Sequence, residues 1–205
     1  MKWIKTFFVM SGLVVGAIRD LLIFFLPGFL ARLLVENGSY GFMIHPQSLA
    51  DVQLKFPFAK HISPALVEKC LMIIPPLIGS RITGLKHVQT GREVTGYVVI
   101  CPLSAKQMHT DRNLAKRKIL QAVRFAEKLG VKMIGLGALT ASMTEGGAYL
   151  TDKVNTGITT GHAFTTAIII EMLLEVSRML ERDVSTLTVA VVGAAGYMGT
   201  PVTRL

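Results

Sequence analysis

The amino-acid sequence predicts an α/β fold, and three features of the chain support this prediction. A strand–helix–strand pattern extends over residues 94–136. A second long helix, rich in apolar residues, is predicted over about Gly161–Glu181. After it, the apolar run Thr188–Val192 leads directly into a glycine-rich turn. Because strands that alternate with helices usually pair in parallel, we expect a parallel sheet covered by helices.

The predicted strands are short and rich in β-branched and aromatic residues. Tyr40–Ile44 and Val94–Ile100 have this composition, and Val131–Leu136 is the strand that leaves the first long helix. We expect Val94–Ile100 and Val131–Leu136 to form a parallel pair within one βαβ unit. Thr90-Gly-Arg92 predicts a hairpin-like turn before the second strand.

The two long helices have recognisable ends. The first begins after Ser104 or Asp111 and ends near Leu129, and Gly130 suits the position after a helix because glycine tolerates positive φ. Its predicted core positions recur at helical spacing and are Ala115, Ile119, Ala122, Val123 and Ala126. Thr160 is the candidate N-cap of the second helix.

The first 38 residues form an apolar segment that we treat as a separate arm. On a helix Lys5, Gly12, Gly16, Arg19 and Asp20 share one narrow face, and the other residues are bulky and apolar. This pattern favours a helix in the membrane interface, followed by a break at Pro27 and a second short segment. Two other hypotheses are a signal peptide cleaved near Ala17 and an arm packed on a partner subunit.

Composition and charge narrow the function classes. The chain has 205 residues, 51% of them hydrophobic and 17% charged, which excludes general disorder. Eight basic and two acidic residues lie between Lys106 and Lys132, within a net charge of +9. Aromatic residues are few near these bases and no nucleic-acid motif is present, so we expect no nucleic-acid partner.

Cys70 and Cys101 form no metal or disulfide pattern, which favours a reducing, cytoplasmic setting without a structural metal.

The glycine turn points to nucleotide binding. A strand that runs into Gly193-Ala-Ala-Gly196-Tyr-Met-Gly199 and then into a helix is the arrangement that binds a pyrophosphate. The first glycine permits the turn, the second lets backbone N–H groups approach phosphates, and the third lets helix and strand pack closely. We therefore predict cofactor contacts from the whole loop: Gly193, Ala194, Ala195, Gly196, Tyr197, Met198 and Gly199. The spacing G-x-x-G-x-x-G is similar to that of many NADP-using families.

Several blocks along the chain resemble one family, the aldehyde-forming long-chain acyl-carrier-protein reductases of alkane biosynthesis. The blocks are Phe42-Met-Ile-His45 with Ser48-Leu-Ala-Asp51, Thr90 to Val98 with Cys101-Pro-Leu103, Lys116-Arg-Lys-Ile-Leu120, Ala126 to Val131, Leu136-Gly-Ala-Leu139, Thr159-Thr-Gly-His-Ala-Phe-Thr165 and Thr188 to Gly199. Two features depart from the family pattern: His162 stands where the family has Asn, and the first forty residues are additional.

The resemblance implies an activity and a domain order. Members reduce an acyl thioester to a fatty aldehyde, with a cysteine nucleophile that forms an acyl-enzyme and NADPH that delivers hydride. We expect the arm at 1–38, a substrate (acyl)-binding domain at 39–185, and the first strand, glycine loop and helix start of a Rossmann domain at 186–205. The catalytic cysteine is expected beyond Leu205, so the chain is predicted to be an N-terminal fragment that is inactive alone. Cys101 is expected to be a buried, inert thiol.

The resemblance and the charge pattern also imply contacts with substrate, carrier and membrane. Thr159, Thr160, Gly161 and His162 are candidates for the substrate cleft. Lys116, Arg117, Lys118 and Arg124 are candidates for docking an acidic acyl carrier protein, although a solvated helix face is an equal alternative. The arm predicts a cytoplasmic protein that is peripheral to the membrane or anchored in it.

Two further functions stay open from the sequence alone. A shikimate-dehydrogenase-like oxidoreductase has the same domain order, but its lysine/aspartate pair is not evident here. A membrane-associated acyl-binding module without catalysis is the other alternative. Acyl binding with no dependence on NADPH would favour that module.

Overall fold

The computed structural model describes the backbone of residues 2–204 and the side chains of residues 11, 12 and 14–204. The described chain divides into two compact units, residues 1–159 and 160–205. The first unit contains an α/β sheet with its helices, and the second consists of a long helix, the glycine loop and a short helix. The predicted boundaries at residues 38 and 185 are not the boundaries between these units.

The first unit is built on a mixed five-stranded sheet with the order β2-β3-β1-β4-β5. The strands are β1 (Tyr40–Ile44), β2 (Leu77–Lys86), β3 (Glu93–Ile100), β4 (Met133–Leu136) and β5 (Gly157–Thr159). β1, β3, β4 and β5 are parallel, and β2 pairs with β3 in antiparallel register. The predicted α/β class is therefore confirmed. The predicted turn at Thr90-Gly-Arg92 also forms the β2–β3 hairpin, with Gly91 at φ +65°.

The prediction that the two strands of residues 94–136 pair directly is wrong. β1 lies between β3 and β4, with Tyr40 opposite Gly96 on one side and opposite Met133 on the other. The reason is that the earlier strand β1 takes the central position, where it forms hydrogen bonds on both edges. The crossover from β3 to β4 therefore passes over one strand.

Helices cover the sheet. In chain order they are α1 (Lys2–Phe25), α2 (Gly28–Ala31), α3 (Leu49–Lys55), α4 (Pro64–Ile73), α5 (Ala105–Thr110), α6 (Arg112–Lys128) and α7 (Leu139–Met143), with a 3₁₀ helix at Pro57–His61. Both predicted helix starts occur, because Ser104 caps α5 and Asp111 caps α6 by accepting from Leu114 N at 2.8 Å. All five predicted core positions of α6 are fully buried, and Gly130 follows α6 at φ +84°.

The end of α1 is fixed to the domain. Ile23 is fully buried in the main core, and the Lys128 ammonium donates to the carbonyl oxygens of Ile23, Phe24 and Leu26. These carbonyls have no partners within the helix, so a cation there satisfies them and interacts favourably with the helix dipole. The helix breaks at Pro27 as predicted. The side chain of Lys5, part of the predicted polar face, lies outside the described residues.

The second unit differs from the sequence prediction in two places. Its helices are α8 (His162–Met179) and α9 (Gly199–Arg204). The N-cap of α8 is Gly161 at φ +70°, and the predicted cap Thr160 instead accepts from His162 N at 3.4 Å. The predicted strand Thr188–Val192 is not formed, and Val192 is 99% exposed. A strand needs a neighbouring strand for its hydrogen bonds, and the described part of this unit contains none. The Rossmann arrangement of residues 186–205 therefore stays a prediction.

Candidate functional site

An apolar cleft of about 790 Å³ opens in the first unit where β1 and β3 end. Ligands of parallel α/β sheets bind beyond the carboxyl ends of the strands, so the cleft occupies the edge where a site is expected. Its volume lies within the range of about 300–1,000 Å³ that is common for small-molecule sites. The lining residues come from α1 (Val14, Ala17, Ile18, Leu21), α3 (Asp51, Val52, Lys55), α4 (Val67, Cys70, Leu71), the strand ends (Ile44 to Gln47, Leu77, Ile100, Pro102), the 3₁₀ helix (Phe58, Ala59) and the segments that flank these helices (Phe56, Ile62, Ile74, Pro75).

Polar groups in the cleft are few, and His45 is the best fixed of them. It directly follows β1 and is 5% exposed. Its Nε2 accepts from Leu139 N at 3.2 Å, and its Nδ1 lies 3.0 Å from Pro46 O. Burial lowers the pKa of His45. A neutral ring that donates from Nδ1 and accepts at Nε2 satisfies both contacts, so His45 joins the cleft wall to the turn after β4.

Asp20 links α1 to the start of β2, and Lys55 links α3 to the same strand. Asp20 is 3% exposed, and its carboxylate accepts from Ile78 N at 2.8 Å and from the Arg19 guanidinium at 2.7 Å. Burial raises the pKa of Asp20, and the hydrogen bond from Ile78 acts in the opposite direction. Lys55 lines the cleft and donates to Gly79 O at 2.9 Å, and desolvation lowers its pKa.

The two cysteines differ in accessibility. Cys101 is fully buried beyond the end of β3, and burial raises the pKa of its thiol to about 12. It therefore remains a protonated thiol at neutral pH, which agrees with the expected inert role. Cys70 on α4 is exposed and lines the cleft.

The glycine loop of the second unit has the local geometry of a close turn. Gly193 has φ +79°, and its carbonyl accepts from Gly196 N at 2.9 Å. A Cβ atom added to Gly199 would lie 2.7 Å from Ala194 Cα, closer than any real side chain permits. Residues 193–197 are exposed. These features fit a phosphate-binding turn. Such a turn normally follows a strand, however, and residues 188–192 before this one do not form a strand.

The predicted cleft residues at 159–162 lie at the junction of the two units. Thr159 ends β5 in the first unit, and Thr160, Gly161 and His162 begin the second. The imidazole ring of His162 stacks on the Tyr197 ring of the glycine loop, with centroids 5.9 Å apart. His162 and the loop are thus brought together, while Thr159 belongs to the sheet. None of the four lines the apolar cleft.

The four basic docking candidates on α6 do not share one exposed face. Lys118 is 6% exposed and donates to Ile74 O at 2.7 Å, so placing it on a docking surface was wrong. Its neighbour in the chain, Ile119, is also buried. Lys116 pairs with Glu145 at 2.5 Å. Only Arg117 and Arg124 of the four are fully exposed.

The apolar cleft is the feature that the sequence prediction missed. The block Ser48–Asp51 resembles the family's opening helix and coincides with the start of α3, whereas α4 was not predicted, because it is short and its apolar residues are divided between the core and the cleft wall. The position of His45 directly after a predicted strand was the available signal, since polar residues at strand ends often lie in sites. Among the described residues, no group of three or more His, Cys, Asp or Glu is placed to hold a metal ion.

Comparison with known proteins supports the predicted resemblance. No family model matches the chain. The chain is similar to the long-chain acyl-(acyl-carrier-protein) reductase of Synechococcus elongatus, with 32% identity over 138 residues. The match covers 63% of this chain and 40% of that relative. The resemblance inferred from the sequence blocks is confirmed, and the chain spans less than half the length of the relative.

Proposed function

We propose that the chain is the acyl-binding part of an NADPH-dependent reductase that converts long-chain acyl thioesters to fatty aldehydes. The observation that carries the proposal is the apolar cleft beyond β1 and β3. A hydrocarbon chain gains about 0.8 kcal/mol for each methylene group removed from water, and the cleft offers it a nearly continuous apolar wall. The similarity to an acyl-carrier-protein reductase supports an oxidoreductase of this type.

His45 and Gln47 mark the polar end of the cleft. Both follow β1, and both line the cleft together with Lys55. The thioester end of a bound substrate is expected here, with the Gln47 amide and the Lys55 ammonium as donors to its carbonyl, while its chain needs apolar contacts. Both nitrogens of the His45 ring already contact backbone atoms, so His45 orients the wall and is not available as an acid or base.

The glycine loop is the proposed cofactor contact. Gly193 permits the turn, the exposed residues Gly193–Tyr197 would approach the phosphates, and Gly199 allows α9 to pack on Ala194. NADPH would supply the hydride when bound. His162, stacked on Tyr197, is proposed to line the site beside this loop.

Arg117 and Arg124 are the proposed contacts for an acidic acyl carrier protein. They are exposed, lie seven positions apart and thus share one face of α6. Lys116 contributes less, because Glu145 already neutralises it. We also propose a peripheral membrane location in the cytoplasm. No helix among the described residues is both long and apolar enough to cross a bilayer.

The first test fills the cleft with a larger side chain. Ala17 is exposed, lines the cleft and lies on α1, so Ala17→Trp places an indole in the cleft without disturbing the core. Val15→Trp is the matched control, because Val15 is exposed on α1 but does not line the cleft. We expect Ala17→Trp to weaken binding of long-chain acyl coenzyme A at least tenfold, by calorimetry, and Val15→Trp to leave it unchanged. Equal effects of both variants would refute acyl binding in this cleft.

A non-catalytic acyl-binding module is the second candidate. The observation in its favour is that every residue lining the cleft lies in the first unit, between Val14 and Pro102. The cleft composition also argues against a small polar hydroxy acid as ligand, which would require several hydrogen-bond donors. Fluorescence titration with NADPH separates the candidates. In a protein where a complete Rossmann domain follows this chain, a reductase predicts NADPH binding that Gly199→Val abolishes, whereas a module predicts acyl binding with no response to NADPH.

A further inference from the structure

Over residues 14–25, the exposed face of α1 is its apolar face. Asp20 and Ile23 are turned toward the protein, where they are 3% and 0% exposed. Val14, Ile18, Leu21 and Phe25 lie on the opposite face, at intervals of four, three and four residues, and are 44–74% exposed. We call these four residues the apolar stripe. A water-exposed helix usually has the reverse orientation, with its polar face outward.

The apolar stripe borders the opening of the cleft. Val14, Ile18 and Leu21 line the cleft as well as being exposed. Phe58 of the 3₁₀ helix lines it too and is 47% exposed. After Pro27, Phe29 continues the exposed apolar surface at 71% exposure. A contiguous apolar surface of this kind marks an interaction site on a protein.

Around this surface, the charged side chains that form no ion pair are mainly basic. Three of the four acidic side chains of residues 11–75 pair with a cation: Asp20 with Arg19, Glu36 with Arg81, and Glu68 with Lys106. Asp51 accepts from the neutral Gln47 and Ser48 amides and keeps its negative charge. Arg32, Lys60 and Lys69 are exposed and form no ion pair with another described residue. The unpaired charge of the elements that form the cleft is therefore positive.

We propose that this face docks on a bilayer that contains anionic phospholipids, so that the cleft opens toward the lipid. Helices that lie in the membrane interface combine apolar side chains with cations that form no ion pair. A protein partner would require hydrogen-bonding groups at about one per 100–200 Å² of interface, and the apolar stripe supplies none. That an acyl chain enters the cleft from the bilayer rests on the proposed function.

Sedimentation of the full chain with vesicles tests the docking without any acyl substrate. Vesicles of phosphatidylcholine alone are compared with vesicles of equal parts phosphatidylcholine and phosphatidylglycerol. We expect binding to the anionic vesicles only, weakened about fivefold for each cation removed by Lys60→Gln or Lys69→Gln. Phe25→Ser combined with Phe29→Ser should weaken it about tenfold or more, because each buries apolar surface in the interface.

The matched control removes apolar side chains from another exposed site. Leu85→Ser combined with Val88→Ser changes the β2–β3 hairpin, where these residues are 51% and 99% exposed. The proposal is overturned by equal binding to both vesicle types, by no binding to either type, or by an equal loss of vesicle binding in this control. Concentration-dependent dimerisation that Phe25→Ser abolishes also overturns it, in favour of a second copy on this face. Acyl coenzyme A binding by the Phe25→Ser/Phe29→Ser variant, measured without vesicles, reports on the proposed function separately, since neither residue lines the cleft.

Discussion

Replacing Asp20 with alanine should release α1 and thereby open one wall of the cleft. The Asp20 carboxylate is buried and accepts from Ile78 N at 2.8 Å, which ties the C-terminal part of α1 to the start of β2. Val14, Ala17 and Ile18 precede this link and line the cleft, and their position depends on it. We therefore expect Asp20→Ala to reduce both the stability and the affinity for an acyl ligand.

The magnitude follows from the two contacts that the carboxylate makes. A hydrogen bond between an amide and a charged acceptor contributes about 1.5–3 kcal/mol, and its loss here leaves Ile78 N without its acceptor. The ion pair with Arg19 adds little, because the Arg19 side chain is 38% exposed and solvent screens the pair. Asp20→Ala should thus lower the free energy of unfolding by about 2–3 kcal/mol. Asp20→Asn keeps an oxygen acceptor and should cost about half as much.

Urea denaturation followed by circular dichroism measures this effect. The matched control is Asp152→Asn, since Asp152 is exposed and pairs only with the neighbouring Lys153. The control should leave the free energy of unfolding unchanged within the error of the measurement. A change of the same small size in Asp20→Ala would refute the role of Asp20 as the link between α1 and the sheet.

Three further predictions concern buried or partly buried groups of the first unit. Iodoacetamide should modify exposed Cys70 and leave Cys101 unmodified until the protein is unfolded, as peptide mass spectrometry will show. Burial lowers the pKa of His45. The neutral ring therefore stabilises the folded state fully above the ordinary pKa of 6.5, and this stabilisation is lost as the pH falls toward the lower pKa of the folded state. The urea midpoint should drop over this pH window in the native chain and should drop less in His45→Gln. Lys118→Ala should cost about 2–3 kcal/mol in the same assay, because it leaves Ile74 O unpaired and a cavity behind, and a cost below about 0.5 kcal/mol would contradict the buried contact.

Patterns that depend on neighbouring residues in the chain could be predicted from the sequence. β1, the hairpin turn at Gly91 and the buried positions of α6 follow from side-chain periodicity and turn chemistry, which are local properties. The helix break at Pro27 follows in the same way, because proline lacks the N–H that a helix interior needs.

Arrangements that depend on distant contacts could not be predicted in this way. The place of β1 between β3 and β4 is set by hydrogen bonds across the sheet, which no local pattern encodes. The burial of Lys118 depends on Ile74, a residue 44 positions earlier whose carbonyl oxygen accepts a hydrogen bond from the Lys118 ammonium. The apolar cleft likewise brings together α1, α3 and α4, which are separated in the chain and joined only by folding.

The central claim is that the cleft beyond β1 and β3 binds an acyl chain, and a chain-length series tests it most directly. Acyl coenzyme A ligands of increasing length are titrated into the full chain by calorimetry. The account predicts that the dissociation constant falls about fourfold for each added methylene group, since each contributes about 0.8 kcal/mol, until the cleft is full. It also predicts that Ala17→Trp ends the increase at a shorter chain. A dissociation constant that does not change with chain length would contradict the claim.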